Sequence, residues 1–239
     1  MKDLFLEGFK IEHGLIDDNS YIQNIKAINS INEFFFNSPI TFFVGENGSG
    51  KSTLLEAIAE SYGFNSEGGT KNNNFKTYDE TNDLLSAITL YKGYKKPNYN
   101  YFFRAETFFN VATKEEEYSI QDRIPEYYHK ESHGEGFIHL FKNMSNARGL
   151  FLMDEPEAAL SIARQLTLFS LIYEAAKKGS QFIIVTHSPI LLAIPDADIF
   201  ELNDSINKID YEDTDSYKIT SSFINHKDIM INELIKNNE

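Results

Sequence analysis

Gly45-Glu46-Asn47-Gly48-Ser49-Gly50-Lys51-Ser52-Thr53 fits the pattern G-x-x-x-x-G-K-[ST] at every fixed position. Ile40-Thr41-Phe42-Phe43-Val44 before it is a short apolar run of β type, and Leu54, Leu55, Ala57, Ile58 and Ala59 after it read as the buried side of a helix. A strand, a glycine turn and a helix N-terminus build an anion site from backbone alone. Unpaired N–H groups point outward there and the helix dipole adds positive potential. Gly48 and Gly50 allow close approach to phosphate and positive φ. In this pattern Lys51 reaches the β- and γ-phosphates and the Ser52 hydroxyl ligates Mg²⁺. The competing reading is a chance glycine turn over a helix; agreement of pattern and flanks disfavours it.

The 239 residues allow one or two domains, and a single α/β domain over residues 1–239 is the simplest choice. A chain of this size buries about 70–75% of its unfolded surface and needs no cross-links. It has no cysteine, which excludes disulfides and thiolate metal sites and suits a reducing compartment. The formal net charge is −14, from 22 basic and 36 acidic side chains. That disfavours a broad nucleic-acid footprint, which needs clustered Lys and Arg, though nucleic acid stays open as a partner through a local patch or a bridging protein. No apolar run reaches the ~18 residues of a membrane span, and Met1–Glu7 lacks a signal peptide's apolar core. The expectation is a cytoplasmic protein without a membrane partner.

Along the chain, Leu4–Glu12 reads as a strand, Asp17–Ser20 as a turn, and Tyr21–Ile31 as a second strand with a bend near Asn32-Glu33. Phe34-Phe35-Phe36 reads as core in preference to an adenine platform. The helix after the glycine turn stops near Gly63, and Asn65–Asn74 is a polar surface loop. Leu84–Tyr91 reads as a strand. Lys92–Tyr101 interleaves lysines and tyrosines, which can bind nucleic acid, but a hairpin tip with solvated lysines is the favoured reading. Tyr101–Glu106 reads as a strand ending in charge, and residues 107–147 as a small helical or irregular lobe. Ser132–Gly136 opens a helix there, whose apolar positions run from Phe137 to Met144. Gly149–Met153 and Gln181–Val185 are continuous apolar runs, as expected of strands covered on both faces. Leu160–Ala176 reads as a helix that is apolar almost all round and thus largely covered. Ile199–Leu202 and Tyr217–Ile219 read as late strands, and Asp228–Lys236 as a terminal helix.

In a parallel sheet, ligands bind beyond the carboxyl ends of the strands. Strands end in polar groups at Gly45, at Asp154-Glu155 and at Thr186-His187; side by side, those ends share one pocket. Asp154 stands where a carboxylate holds Mg²⁺, directly or through water. Glu155, one residue on, can polarise an attacking water; the plainer alternative for the pair is acidic residues at a helix N-terminus. His187 can contact the γ-phosphate or its water, against the alternative of a packed surface histidine.

These residues, with Ser132–Gly136, Ala158-Ala159-Leu160-Ser161 and Ser188, occur in the order of an ABC-class ATPase. The chain resembles the small soluble bacterial AAA-family ATPases of SMC and RecF type, across nearly its whole length. The resemblance implies an α/β P-loop NTPase fold of ABC-ATPase type: a mixed sheet with flanking helices, N-terminal antiparallel strands and a small helical or irregular lobe carrying the signature. It implies that Asn47, Gly48, Ser49, Gly50, Lys51, Ser52 and Thr53 bind ATP, and that Ser52 and Asp154 serve Mg²⁺. Glu155 would be the general base, His187 the switch histidine, and Lys51 a catalytic cation. Ser132, Gly134 and Glu135 would complete a second subunit's site, Leu160 and Ser161 would couple the sites, and ATP would lie sandwiched in a head-to-tail homodimer. The signature departs from the family: it reads Ser-His-Gly-Glu-Gly in place of Leu-Ser-Gly-Gly-Gln, and Glu135 brings negative charge near phosphate. There is no clear glutamine loop. Glu106 is its stand-in on the metal side, and an ion pair with Arg104 is the equal alternative. The expected use is ATP hydrolysis in DNA metabolism or phage defence, with a transporter's nucleotide-binding subunit and a non-hydrolysing ATP-gated module as alternatives. A protein partner fits all three uses.

Overall fold

A computed structural model describes residues 3–65, 68–69, 83–105, 138–139, 141–142 and 148–236. Two sheets organise the described residues. The first is antiparallel, in the order β2 (Glu33–Phe35), β1 (Leu6–Ile11), β4 (Ile88–Lys92). The second has the order β5 (Tyr99–Arg104), β6 (Gly149–Asp154), β7 (Gln181–Val185), β3 (Ile40–Val44), β8 (Asp198–Leu202), β9 (Ile206–Ile209). Its strands run parallel except for the β8–β9 pair. The helices are α1 (Lys26–Asn29), α2 (Lys51–Tyr62), α3 (Ile162–Lys177), α4 (Pro189–Leu192), α5 (Asp215–Asn225) and α6 (Lys227–Lys236).

The central strands β3, β6 and β7 are buried at every position, and apolar at most, because both faces of their sheet are covered. Phe43, Leu152, Ile183 and Val185 face a core shared with α2 and the antiparallel sheet. Their alternates Phe42, Phe151, Met153, Phe182 and Ile184 face a second core with Leu168 and Ile172 of α3 and Leu191 of α4. Alternation along a strand here chooses between two cores, and no water-facing side remains. Phe151 and Phe182 stack at 5.0 Å in the second core, with Phe141 edge-on to Phe151 at 5.5 Å.

Gln181, fully buried at the start of β7, ties the sheets together. Its Oε1 accepts from the N–H groups of Phe5 and Leu6, each at 2.9 Å, and its Nε2 donates to the Leu6 carbonyl at 2.8 Å. All of its hydrogen bonding to the incoming chain is thereby satisfied away from water.

Several expectations need correction. Tyr21–Ile31 is no strand: it is a 3-10 turn at Tyr21–Asn24 followed by α1. Ile22, Ile25, Ile28 and Ile31 recur at every third residue, a helical period, and Ser20 Oγ caps the start by accepting from Ile22 N–H. Tyr217–Ile219 lies within α5, where Thr214 is the cap and accepts from Tyr217 N–H at 3.3 Å. The late antiparallel partner is β9. Asp83–Ser86 is a 3-10 turn, so β4 starts only at Ile88. Lys92–Tyr101 is no hairpin tip, because β4 and β5 belong to different sheets. Of the three phenylalanines, Phe34 and Phe36 are core, but Phe35 points outward by strand alternation, 51% exposed, and stacks on Tyr91 at 5.6 Å. Gly68 and Gly69 are buried, with Gly69 bridging to Phe102 on the edge of β5; the rest of the 65–74 loop beyond Asn65 lies outside the described residues. Finally, the described residues cover α3 on one face only: Ile162 and Leu166 are 70% and 55% exposed among them.

Candidate functional site

The registers place three strand ends in one row. Asp154 of β6 pairs with Val185 of β7, and Val185 pairs with Phe43 of β3. The chain beyond that row is Glu155 on one strand, Thr186-His187 on the next and Val44-Gly45 on the third, so the three polar ends predicted from sequence lie side by side.

The glycine turn leads into α2, with Gly50 at its N-cap at φ 93°. A Cβ on Gly50 would meet Ile25 Cγ2 at 2.6 Å and Ile28 Cδ1 at 3.0 Å. Its missing side chain therefore seats the helix start against the Ile25–Ile28 segment of the same chain. Gly48 is at φ 81° with nothing within 4 Å of a Cβ position, so there the backbone itself faces open space. That open cradle fits a phosphate group. Asn47 and Ser49 flank it, and Thr53 lies in the first turn of α2.

Lys51 is 5% exposed. Its Nζ donates to the carbonyls of Gly45 and Glu46 at 2.9 and 2.7 Å. Burial pushes its pKa below the ordinary lysine value, and Glu155 and Asp154 pull it back up. Ser52 Oγ donates to Asp154 Oδ1 at 3.0 Å. A hydroxyl and a carboxylate oxygen meeting beside a phosphate cradle are hard donors of the kind Mg²⁺ takes. Among the described residues, no three or more His, Asp or Glu side chains gather as a metal cage. Mg²⁺ bound mainly through nucleotide phosphates needs none.

Arg104 is opposite Asp154 in the β5–β6 register, with Nε 3.9 Å from Asp154 Oδ2 and Nη1 3.4 Å from Glu56 Oε2. Sequence reading held an Arg104–Glu106 ion pair as an equal alternative to a metal-side role for Glu106, and Glu106 lies outside the described residues. Glu56, one helical turn after Ser52, is the carboxylate that register and helix period bring to it.

Glu155 sits in the left-handed region at φ 48°, ψ 53°, a conformation that costs a non-glycine residue about 1–2 kcal/mol. Its N–H still bonds to the Val185 carbonyl at 2.9 Å, so the chain turns sharply only after the ladder's last bond. Its side chain, 46% exposed, brings Oε1 to 3.9 Å from His187 Nε2. Glu157, in the 3-10 turn Pro156–Ala159, accepts from the His187 backbone N–H at 2.6 Å. Burial raises the Glu157 pKa, and that N–H opposes the shift. Further along, Ser188 Oγ donates to Gln165 Oε1 at 2.7 Å, and Gln165 Nε2 donates to the Leu160 carbonyl at 3.2 Å. Leu160 is buried and Ser161 is the N-cap of α3.

Two clefts adjoin the turn. One, of about 430 Å³, lies between Asn47–Ser49, the Asn24–Lys26 segment and Asn203-Asp204. The other, of about 550 Å³, lies between Gly45–Asn47, His187 and the start of α5 at Thr214–Ser216. Sequence reading missed the Asn24–Lys26 wall because it took that segment for a strand. It missed the roles of Arg104, Glu56 and Glu157 because their partners are remote in sequence. Ser132, Gly134, Glu135 and Glu106, and all of the 107–147 lobe except Ile138, His139, Phe141 and Lys142, lie outside the described residues. Among the described residues, no helix is long and apolar enough to cross a membrane.

A family model described as AAA domain matches residues 21–238. The xylose/arabinose import ATP-binding protein XylG of Sulfolobus acidocaldarius is 25% identical over 193 residues, 70% of this chain and 74% of that one. The vitamin B12 import ATP-binding protein BtuD of Vibrio atlanticus is 27% identical over 175 residues, 62% of this chain and 68% of that one. Among solved structures, an SMC head domain from Thermotoga maritima aligns with 87% of this chain and 99% of its own, at 15% identity and a TM-score of 0.43.

Proposed function

This chain belongs to the AAA-domain family, and on that premise we propose that it is an ABC-class P-loop ATPase that binds Mg·ATP at the β3–β7–β6 strand ends and hydrolyses it. The observation that carries the reading is the row of Asp154, Val185 and Phe43, which draws Lys51, the acidic couplet and His187 around one open cradle. Residues 1–239 act as one ATPase domain, whose signature-bearing lobe spans about 107–147.

On this reading the residues divide the work between them. Lys51 exchanges its contacts with the Gly45 and Glu46 carbonyls for phosphate oxygens. The N–H groups of Asn47–Thr53 and the α2 dipole hold the phosphates. Ser52 and Asp154 hold Mg²⁺, with Glu106 as a further metal-side group. Bound Mg²⁺ neutralises charge on the phosphoryl group and leaves the protein mostly positioning to do. Glu155 accepts the proton of the attacking water, and His187, 3.9 Å away, contacts the same water or the γ-phosphate. The strained Glu155 backbone accompanies a carboxylate held beside His187, as expected where strain is kept for function.

Ser132, Gly134 and Glu135 act on a partner subunit's nucleotide, and ATP closes a homodimer. The test is phosphate release by the purified protein with Mg·ATP, alongside light scattering of Glu155→Gln with and without ATP. Phosphate release by the wild type and an ATP-dependent doubling of mass in the variant are expected. A strict monomer would count against the sandwich, and absent phosphate release would leave the ATP-gated module. DNA metabolism or phage defence is the favoured setting, on the SMC- and RecF-like endings of β6 and β7; stimulation of phosphate release by duplex DNA is its test. The second reading, a transporter's nucleotide-binding subunit, rests on the import ATP-binding relatives, and co-purification with a membrane protein would favour it.

A further inference from the structure

Glu157 has no part in the roles given above, yet it makes the shortest link between the two strand ends that carry them. Its Oε1 accepts from the His187 backbone N–H at 2.6 Å. Its Oε2 is closed off from water. A carboxyl so enclosed is costly to keep unless it is bonded, and the His187 N–H, with the Thr186 side chain as a second hydrogen-bonding neighbour, gives the reason for its placement. The 3-10 turn that carries Glu157 is itself fastened to Glu155, through Ala158 N–H to the Glu155 carbonyl at 3.1 Å. Glu155 Oε1 in turn stands 3.9 Å from His187 Nε2. The three groups close a ring that runs from the left-handed Glu155 backbone through the Glu157 carboxylate to the His187 backbone and imidazole.

We propose that Glu157 is a positioning residue that holds His187 at its working distance from Glu155, an inference that rests on the ATPase reading of the same site. Glu157 acts by fixing the backbone of His187. Loss of the bond lets the β7 end drift from the acidic turn, and misplacement of a catalytic group by about 1 Å can cost as much as 100-fold in rate.

The experiment compares Glu157→Ala, Glu157→Gln and Glu157→Asp, each also combined with His187→Ala. In Glu157→Ala, kcat is expected to fall about 10- to 100-fold with KM for ATP within about twofold. Glu157→Gln, which keeps an acceptor oxygen at full length, recovers most of the turnover. Glu157→Asp, one methylene short, does not, and it carries the comparison if the alanine variant fails to fold. In the His187→Ala background the Glu157 changes cost nothing further, since the effect runs through the imidazole. Additive losses, a change confined to KM, or a glutamine variant as impaired as alanine would each overturn the proposal. Amide hydrogen exchange at His187 reads the bond without turnover: protection lost in Glu157→Ala and kept in Glu157→Gln is expected, and unchanged protection in alanine overturns the link. A wild-type protein without phosphate release would sink the ATPase reading, and the exchange measurement would still decide the bond.

Discussion

The two sheets spend the same kinds of residue differently. In β1 and β2 of the antiparallel sheet, exposed positions at Glu7, Lys10, Glu33 and Phe35 interrupt the buried ones. In β3, β6 and β7, every residue is buried. Thr41 and Gln181 apart, polar groups stand at the carboxyl ends of these strands, where parallel direction gathers them on one side of the sheet. An antiparallel sheet sends alternate strand ends to opposite sides and cannot gather three of them. The difference teaches that direction, more than composition, assembles the site.

The largest expected break of that contrast is Glu155→Gln. It should lower turnover about 10²- to 10⁴-fold while ATP binding persists, measured by phosphate release and by equilibrium binding of labelled ATP. Phe34→Ala in the antiparallel sheet should cost about 3–5 kcal/mol in urea denaturation, because Phe34 packs on Phe9, Phe36, Phe43 and Phe200. Gln181→Leu should cost about 2–3 kcal/mol by leaving the Phe5 and Leu6 N–H groups buried and unpaired. It should also loosen the antiparallel sheet before the parallel one, visible as earlier amide exchange in β1 and β4. Phe35→Ala, one residue from Phe34 but half exposed, should cost under about 1 kcal/mol; a loss equal to that of Phe34→Ala would refute the alternation.

The smallest effect is a proton. Burial lowers the Lys51 pKa in the nucleotide-free protein. Phosphate oxygens must raise it again, so the bound form holds its proton more tightly than the free form. Nucleotide affinity should then be full below the lowered pKa, fall as pH rises through it, and be accompanied by proton uptake in that window. Calorimetry in two buffers of different ionisation enthalpy measures that uptake; none across the alkaline range would mean that Lys51 does not face the phosphates.

Wherever one signal ran without interruption, the fold was legible. β6 and β7 read as unbroken apolar runs, the glycine turn by its fixed spacing, and the stop of α2 by Gly63. Tyr21–Ile31 misled because isoleucine and tyrosine favour strands, while the three-residue spacing and the Ser20 cap were stronger signals of helix. Tyr217–Ile219 misled for the same reason, against the cap at Thr214. The outer face of α3 was misjudged because Ile162 and Leu166 are apolar where nothing among the described residues covers them.

By itself the sequence determined which residues can bind phosphate, metal and a proton, because those abilities belong to side-chain chemistry and short local spacing. It also pointed to β6 and β7 as strands covered on both faces. Tertiary structure alone decided that β7 lies between β3 and β6, that Arg104 reaches Glu56, and that Glu157 ends on the backbone of His187. Those choices depend on strand order and register, and hydrogen bonds across a sheet join residues whose separation along the chain carries no periodic trace.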